Sequence, residues 1–162
     1  MSYTELHNLK KSWIAATENG NKHFQQEQFN ISKSLFEQAM QIAELLFRHA
    51  QDADSCGMPV VSAFNVSCIN LARNFREIGD IKTAGEYFLY NVWNLKQLSL
   101  QIEIRETLRQ EAMKNWENAV MALEEFYEQT GQALTVDFRN GETYEQIGLA
   151  KRQLIHNKTL LN

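Results

Sequence analysis

The chain has 162 residues, 44% hydrophobic and 22% charged, with a formal net charge of −4 and a pI near 5.6. This length suffices for one domain that buries a working core without metal or disulfide staples, and the composition is globular rather than disordered. The negative charge sets nucleic acid aside as the main partner, because phosphate binding needs a concentrated positive field.

One proline and seven glycines are too few turn residues for a fold of many short strands. Sixteen Glu against four Asp, with abundant Gln, Lys, Leu and Ala, favour helix. The expected class is all-α. The segment Met1 to Gly20 lacks the apolar core of a signal peptide, and no run of eighteen apolar residues occurs. The expectation is therefore a cytoplasmic protein with no membrane partner. Asn30-Ile31-Ser32, Asn65-Val66-Ser67 and Asn157-Lys158-Thr159 match the glycosylation pattern by coincidence on that reading.

Apolar residues recur at three- and four-residue steps. The first helix reads Leu6, Leu9, Trp13, Ala16 and Gly20, then His23 or Phe24. After the polar Gln26-Glu27-Gln28, a second reads Leu35, Phe36, Ala39, Ile42, Ala43, Leu46, Phe47 and Ala50. Asp52 to Pro59 reads as a loop, since Pro59 forbids a helix running through from Met58. A third helix carries Val61, Phe64, Cys68, Leu71, Phe75 and Ile78. It stops at Gly79-Asp80, where glycine suits a left-handed terminus and aspartate caps the next helix. That fourth helix runs through Ile81, Ala84, Phe88, Val92 and Leu95, and a fifth through Leu108, Ala112, Trp116, Ala119, Leu123 and Phe126 to Thr130-Gly131. The break between them is placed near Leu98 to Gln101, with one continuous helix from Ile81 to Thr130 as the competing reading. A short β-hairpin is expected near 133–144, around the turn signal Asn140-Gly141. Tyr144, Ile147, Leu149, Ala150 and Leu154 suggest a final helix, making about six.

The interruptions at Glu27, Gly79 and Gly131 lie fifty-two residues apart. They divide one domain, 1–162, into approximate repeat units 3–54, 60–98 and 102–158. A single hairpin cannot bury its apolar face, so stacked antiparallel hairpins are expected. Gly20 and His23 followed by Phe29, Ser32, Phe36 and Ala39, and Ala72, Phe75 and Gly79 followed by Ala84 and Phe88, resemble the tetratricopeptide (TPR) motif of small and aromatic residues. Asn91 replaces the last small residue, Glu124 stands where the third unit needs one, and the spacing exceeds the usual period of about 34. The chain thus resembles an elongated, irregular member, from Trp13 to Gly131. The resemblance implies a superhelical array whose first helices line a concave groove.

No His-x-x-x-His pair, phosphate loop, nucleophile elbow or Cys-x-x-Cys occurs. Neither a cofactor nor a metal is expected, and the chain reads as no enzyme. Cys56 and Cys68 read as reduced thiols, with Cys56 the more reactive and a disulfide between them the alternative. The resemblance places Ile14, Thr17, Asn21 and Phe24 on the groove face of the first unit. The second unit contributes Val66, Ile69, Arg73 and Arg76, and the third Asn118, Met121, Glu125 and Glu128. Asn21, Phe24, Ile69, Arg73, Arg76 and Met121 are the candidate site. Arg73 and Arg76 would clamp a carboxylate or backbone carbonyls, while Phe24, Ile69 and Met121 would take apolar side chains. Some family members grip a chaperone's C-terminal carboxylate; Thr17, Met121 and Glu125 stand where that grip needs basic residues, so the activity does not transfer.

The expected function is a protein- or peptide-binding adaptor or chaperone-like module. One alternative is a structural homodimer or larger homo-oligomer, joined through a patch of Tyr87, Tyr90, Trp93 and Leu98. The other is a small-molecule sensor built on Asn91, Trp93, Asn94, Asn115 and Trp116.

Overall fold

A computed structural model describes residues 1–131; the hairpin expected near 133–144 and the final helix from Tyr144 lie outside the described residues. Six helices follow one another: α1 Tyr3–Gln25, α2 Phe29–Arg48, α3 Ala50–Ser55, α4 Val60–Glu77, α5 Ile81–Leu100 and α6 Glu106–Thr130. The protein is all-α, with no strand among the described residues.

Local chemistry sets several boundaries. Ser2 caps α1: its hydroxyl accepts from the Glu5 N–H at 3.3 Å while the Glu5 carboxylate accepts from the Ser2 N–H at 2.7 Å. Those bonds, the backbone one foremost, hold the Glu5 carboxyl below its ordinary value. Asp80 caps α5 by accepting from the Thr83 N–H at 3.0 Å, and Gly79 before it has φ +83°. Glu27, at φ +58°, and Gly131, at φ +66°, occupy the same left-handed region. Each of the three thus turns the chain after a long helix.

Two boundaries differ from expectation. Asp52 to Ser55, read as the start of a loop, belongs to a short helix, Ala50–Ser55, set off from α2 at His49 (φ −110°). Ala50 and Ala53 are buried there, and burial of two small residues outweighs the polar composition that suggested loop. The loop proper is Cys56 to Pro59. The break expected near Leu98 to Gln101 falls slightly later, since α5 ends at Leu100 and α6 starts at Glu106, and the competing reading of one helix from Ile81 to Thr130 is overturned. Tertiary contact holds this break. The Arg105 guanidinium donates to the Asp54 carboxylate, to Ser55 Oγ at 3.0 Å and to the Gln51 carbonyl at 3.2 Å.

The helices stack as antiparallel hairpins. α2 runs against α4, with Phe47 stacked on Phe64 at 4.2 Å and Met40 Sδ 3.8 Å from Cys68 Sγ. α5 folds back on α4, where Phe75 stacks on Tyr87 at 5.6 Å, and α6 folds back on α5, where Phe88 meets Phe126 at 4.9 Å. α1, α4 and α6 therefore lie parallel along one face, with α2 and α5 behind them. Trp13 Nε1 donates to Ser67 Oγ at 2.9 Å between α1 and α4. Ser62 donates to Glu111 at 3.3 Å, and Arg76 to Gln129 at 2.9 Å, between α4 and α6.

The core runs through Phe36, Met40, Leu46, Phe64, Leu71, Leu95 and Leu123, all nearly inaccessible. Each such side chain contributes about 1.5–3 kcal/mol by leaving water. Tyr87, Tyr90 and Leu98 are buried too, and Trp93 is half-buried, so they form no exposed patch for self-association. Their stripe is wide because α5 is enclosed on most sides. Tyr90 donates to the buried Glu44 carboxylate at 3.0 Å. Burial first, and Glu44 second, push the Tyr90 phenol far above its ordinary 10.0. The folded chain thus keeps a proton that the unfolded chain releases near pH 10. The stability linked to this group is complete below that pH and is lost as pH rises above it. Wild type is expected to lose about 1.4 kcal/mol more per pH unit than Tyr90→Phe above about pH 10. Urea melts of both proteins between about pH 9 and 11 check this; equal slopes would mean that folding does not hold the phenol proton.

Candidate partner-binding groove

The parallel arrangement of α1, α4 and α6 brings their C-terminal ends together, and a cavity of about 360 Å³ opens there. Phe24, Arg76 and Gln129 line it, each the next-to-last residue of its helix. Phe88 of α5 and Phe126 of α6, 6% and 1% exposed, form an apolar floor. Ile69 of α4 and Ala122 of α6 continue it as half-buried walls. Phe24 is held edge-on to Phe29, ring centres 5.4 Å apart, and tilted against Phe36 at 6.2 Å.

The charges divide between two helices. On α4, Arg73 is exposed and makes no hydrogen bond or ion pair with the described residues. Arg76 donates to Gln129 Oε1 at 2.9 Å and lies 3.6 Å from the Glu77 carboxylate. On α6, the same Gln129 donates from Nε2 to Glu125 Oε1 at 2.8 Å. Its amide is thereby fixed between a guanidinium and a carboxylate. Three helix C-termini meet at the cavity, and their partial negative charge favours cations in the last turn, where Arg76 stands.

Four of the six candidate residues, Phe24, Ile69, Arg73 and Arg76, come together on this cavity. Asn21 does not line it; it is exposed one turn back along α1. Met121 is 66% exposed and also lies outside the lining, where Ala122 and Phe126 stand instead. Of the α6 face that the repeat pattern assigned, Glu125 lines the cavity, while Asn118, Met121 and Glu128 do not. Thr17, expected on the groove face, is buried. Sequence reasoning missed Phe88, Phe126, Gln129 and Glu77. The two phenylalanines already belonged to the core stripes, and Gln129 was legible as the residue one turn beyond Glu125.

The polar cluster considered for a small ligand forms a ladder across three helices instead. Asn91 Nδ2 donates to Asn65 Oδ1, Asn65 Nδ2 to Asn115 Oδ1 at 3.1 Å, and Asn115 Nδ2 to the Glu111 carbonyl at 3.0 Å. Asn94 donates to the Tyr90 carbonyl at 2.8 Å, and the Trp116 ring carries the Lys96 ammonium at 4.1 Å. Asn65 was not placed in this cluster from the sequence, because asparagine on a helix usually faces water. Cys56 and Cys68 are not joined in a disulfide. A second cavity, about 430 Å³, lies between Phe47, His49, Asn94 and Ile104. Among the described residues no three metal-ligating side chains converge, and no helix is long and apolar enough to cross a membrane.

A family model described as "Protein of unknown function (DUF2753)" matches residues 11–156. No curated protein and no solved structure matches the chain.

Proposed function

The chain belongs to the DUF2753 family, a description that assigns no activity, and we propose that it is a non-catalytic, tetratricopeptide-like module that binds a peptide segment of another protein. One observation carries this reading: an open cavity with a phenyl floor has at its rim a guanidinium, Arg73, that has no partner among the described residues. Such a site offers an apolar anchor to a side chain and a charged contact beside it, the combination on which peptide recognition rests. Among the described lining residues there is no serine, threonine, cysteine, histidine, lysine or tyrosine, which leaves the carboxylates Glu77 and Glu125 as the groups there of a kind that can serve as nucleophiles.

The repeat reading is supported by the bonds that join the first helices. Trp13 with Ser67, Asn65 with Asn115, and Arg76 with Gln129 are separated by 54, 50 and 53 residues. A nearly constant offset is what stacked units of about fifty-two residues produce. On this reading the protein acts in the cytoplasm, as an adaptor or chaperone-like partner, without cofactor, nucleic acid or membrane.

An array of synthetic twelve-residue peptides, probed with wild type beside the Arg73→Ala, Arg76→Ala double variant, tests the proposal. The expected result is retention on peptides with an Asp or Glu next to a large apolar residue, lost in the double variant while its circular dichroism and melting stay unchanged. Equal retention of both proteins would remove the arginines from the site, and no retention at all would overturn the peptide-binding reading.

A further inference from the structure

The groove is two-sided in charge, and this restricts what fits it. The Arg76–Gln129 bond fixes the register of α4 against α6. One turn back along each helix, Arg73 comes opposite Glu125, and a further turn back Ile69 comes opposite Ala122. Arg73 and Glu125 line one cavity and form no ion pair with each other. The two guanidiniums are matched by two carboxylates and by three helix C-termini, so the field has no single sign. A ligand that is acidic on all sides gains at α4 and is repelled at α6.

Resting on the peptide-binding reading, we infer that the groove takes an amphipathic helix with an apolar ridge set between an acidic flank facing Arg73 on α4 and a basic flank facing Glu125 on α6. An extended strand leaves this asymmetry unread. In a groove its side chains point up and down, and each edge offers the walls N–H and C=O groups alike. A helix offers side chains on both flanks, so each wall meets charge of its own choosing. The split pair also fixes direction, since turning a helix end for end exchanges its flanks.

Three synthetic helical peptides with one leucine ridge test this by fluorescence anisotropy: one with a Glu flank and a Lys flank, one with Glu on both flanks, and one with Lys on both. Wild type is expected to bind the mixed peptide about tenfold tighter than either of the others. Glu125→Arg shifts the preference to the all-Glu peptide, and Arg73→Glu shifts it to the all-Lys peptide; both positions are exposed, so the fold tolerates either change. A wild type that prefers the all-Glu peptide, or does not discriminate, overturns the two-sided groove while leaving peptide binding intact. Equal affinity for a mixed peptide broken by a central proline overturns the helical form of the partner. Binding of none of the peptides overturns the inference together with the reading beneath it.

Discussion

Gly20→Leu is expected to destabilise the fold by about 3 kcal/mol, at the upper end of the usual cost of overpacking. A Cβ placed on Gly20 falls 2.5 Å from Phe36 Cε1 and 2.6 Å from Cδ1. Phe36 is 2% exposed, and Phe24 leans on it with ring centres 6.2 Å apart, so its ring has little room to yield. Glycine in a helix interior costs about 1 kcal/mol relative to alanine. The chain carries that cost at Gly20 because nothing larger lets α1 approach α2 across the Phe36 ring. Gly85 provides the contrast. A Cβ there comes no nearer than 3.2 Å to Phe126, so that ring need give by only a few tenths of an ångström. Gly85→Ala is therefore expected to stay within about 0.5 kcal/mol of wild type, the helical gain offsetting the contact. Urea melts of both variants separate the two situations. An unchanged midpoint in Gly20→Leu would mean that α1 does not close on Phe36. Partial recovery when Phe36→Leu is added to Gly20→Leu would identify the ring as the obstacle.

The close approach at Gly20 was legible in the sequence because a small residue preceded a run of aromatics at helical spacing. The turn at Gly79-Asp80 was legible for a similar reason: left-handed backbone and side-chain capping are settled by the residues themselves. The break between α5 and α6 was harder to place, since Leu98 to Arg105 holds no glycine or proline, and its anchor, Arg105, reaches back about fifty residues to Asp54 and Ser55. Helix α3 was missed for the related reason that Ala50 and Ala53 are buried by neighbours the local sequence does not reveal.

The groove shows the same division. The resemblance assigned Phe24, Ile69, Arg73 and Arg76 to one groove, and all four line the cavity. On α6 the face depends on rotation about the helix axis, which is fixed by the seating of Phe126 against Phe88 and Gly85. A repeat pattern that fails at Glu124 cannot supply that angle, so Met121 was chosen where Ala122 lines the groove. Glu125, by contrast, already stood on the groove face that the repeat pattern assigned to α6, and it lines the cavity together with Arg73.

Asn65→Leu is expected to cost about 2–4 kcal/mol, because it leaves buried amides unpaired as well as removing two hydrogen bonds. Asn91 is fully buried, and its Oδ1 already has no partner, so Asn65 takes the bond from its Nδ2. Asn115 loses the donor to its Oδ1 and keeps its bond to the Glu111 carbonyl. For a chain of this size the loss corresponds to a melting temperature lower by roughly 5–15 °C. Packing alone predicts a smaller effect, since leucine and asparagine share the same side-chain skeleton branched at Cγ. The distinction lies in the double variant. Asn65→Leu with Asn91→Leu replaces both partners with apolar groups of similar shape and is expected to recover much of the lost stability, whereas independent packing defects would add. Additive losses would show that Asn65 and Asn91 do not depend on one another. Recovery would mean that Asn91, standing where the repeat calls for a small residue, is held there by its bond to α4, and that this bond ties the second hairpin together while Asn115 joins it to α6.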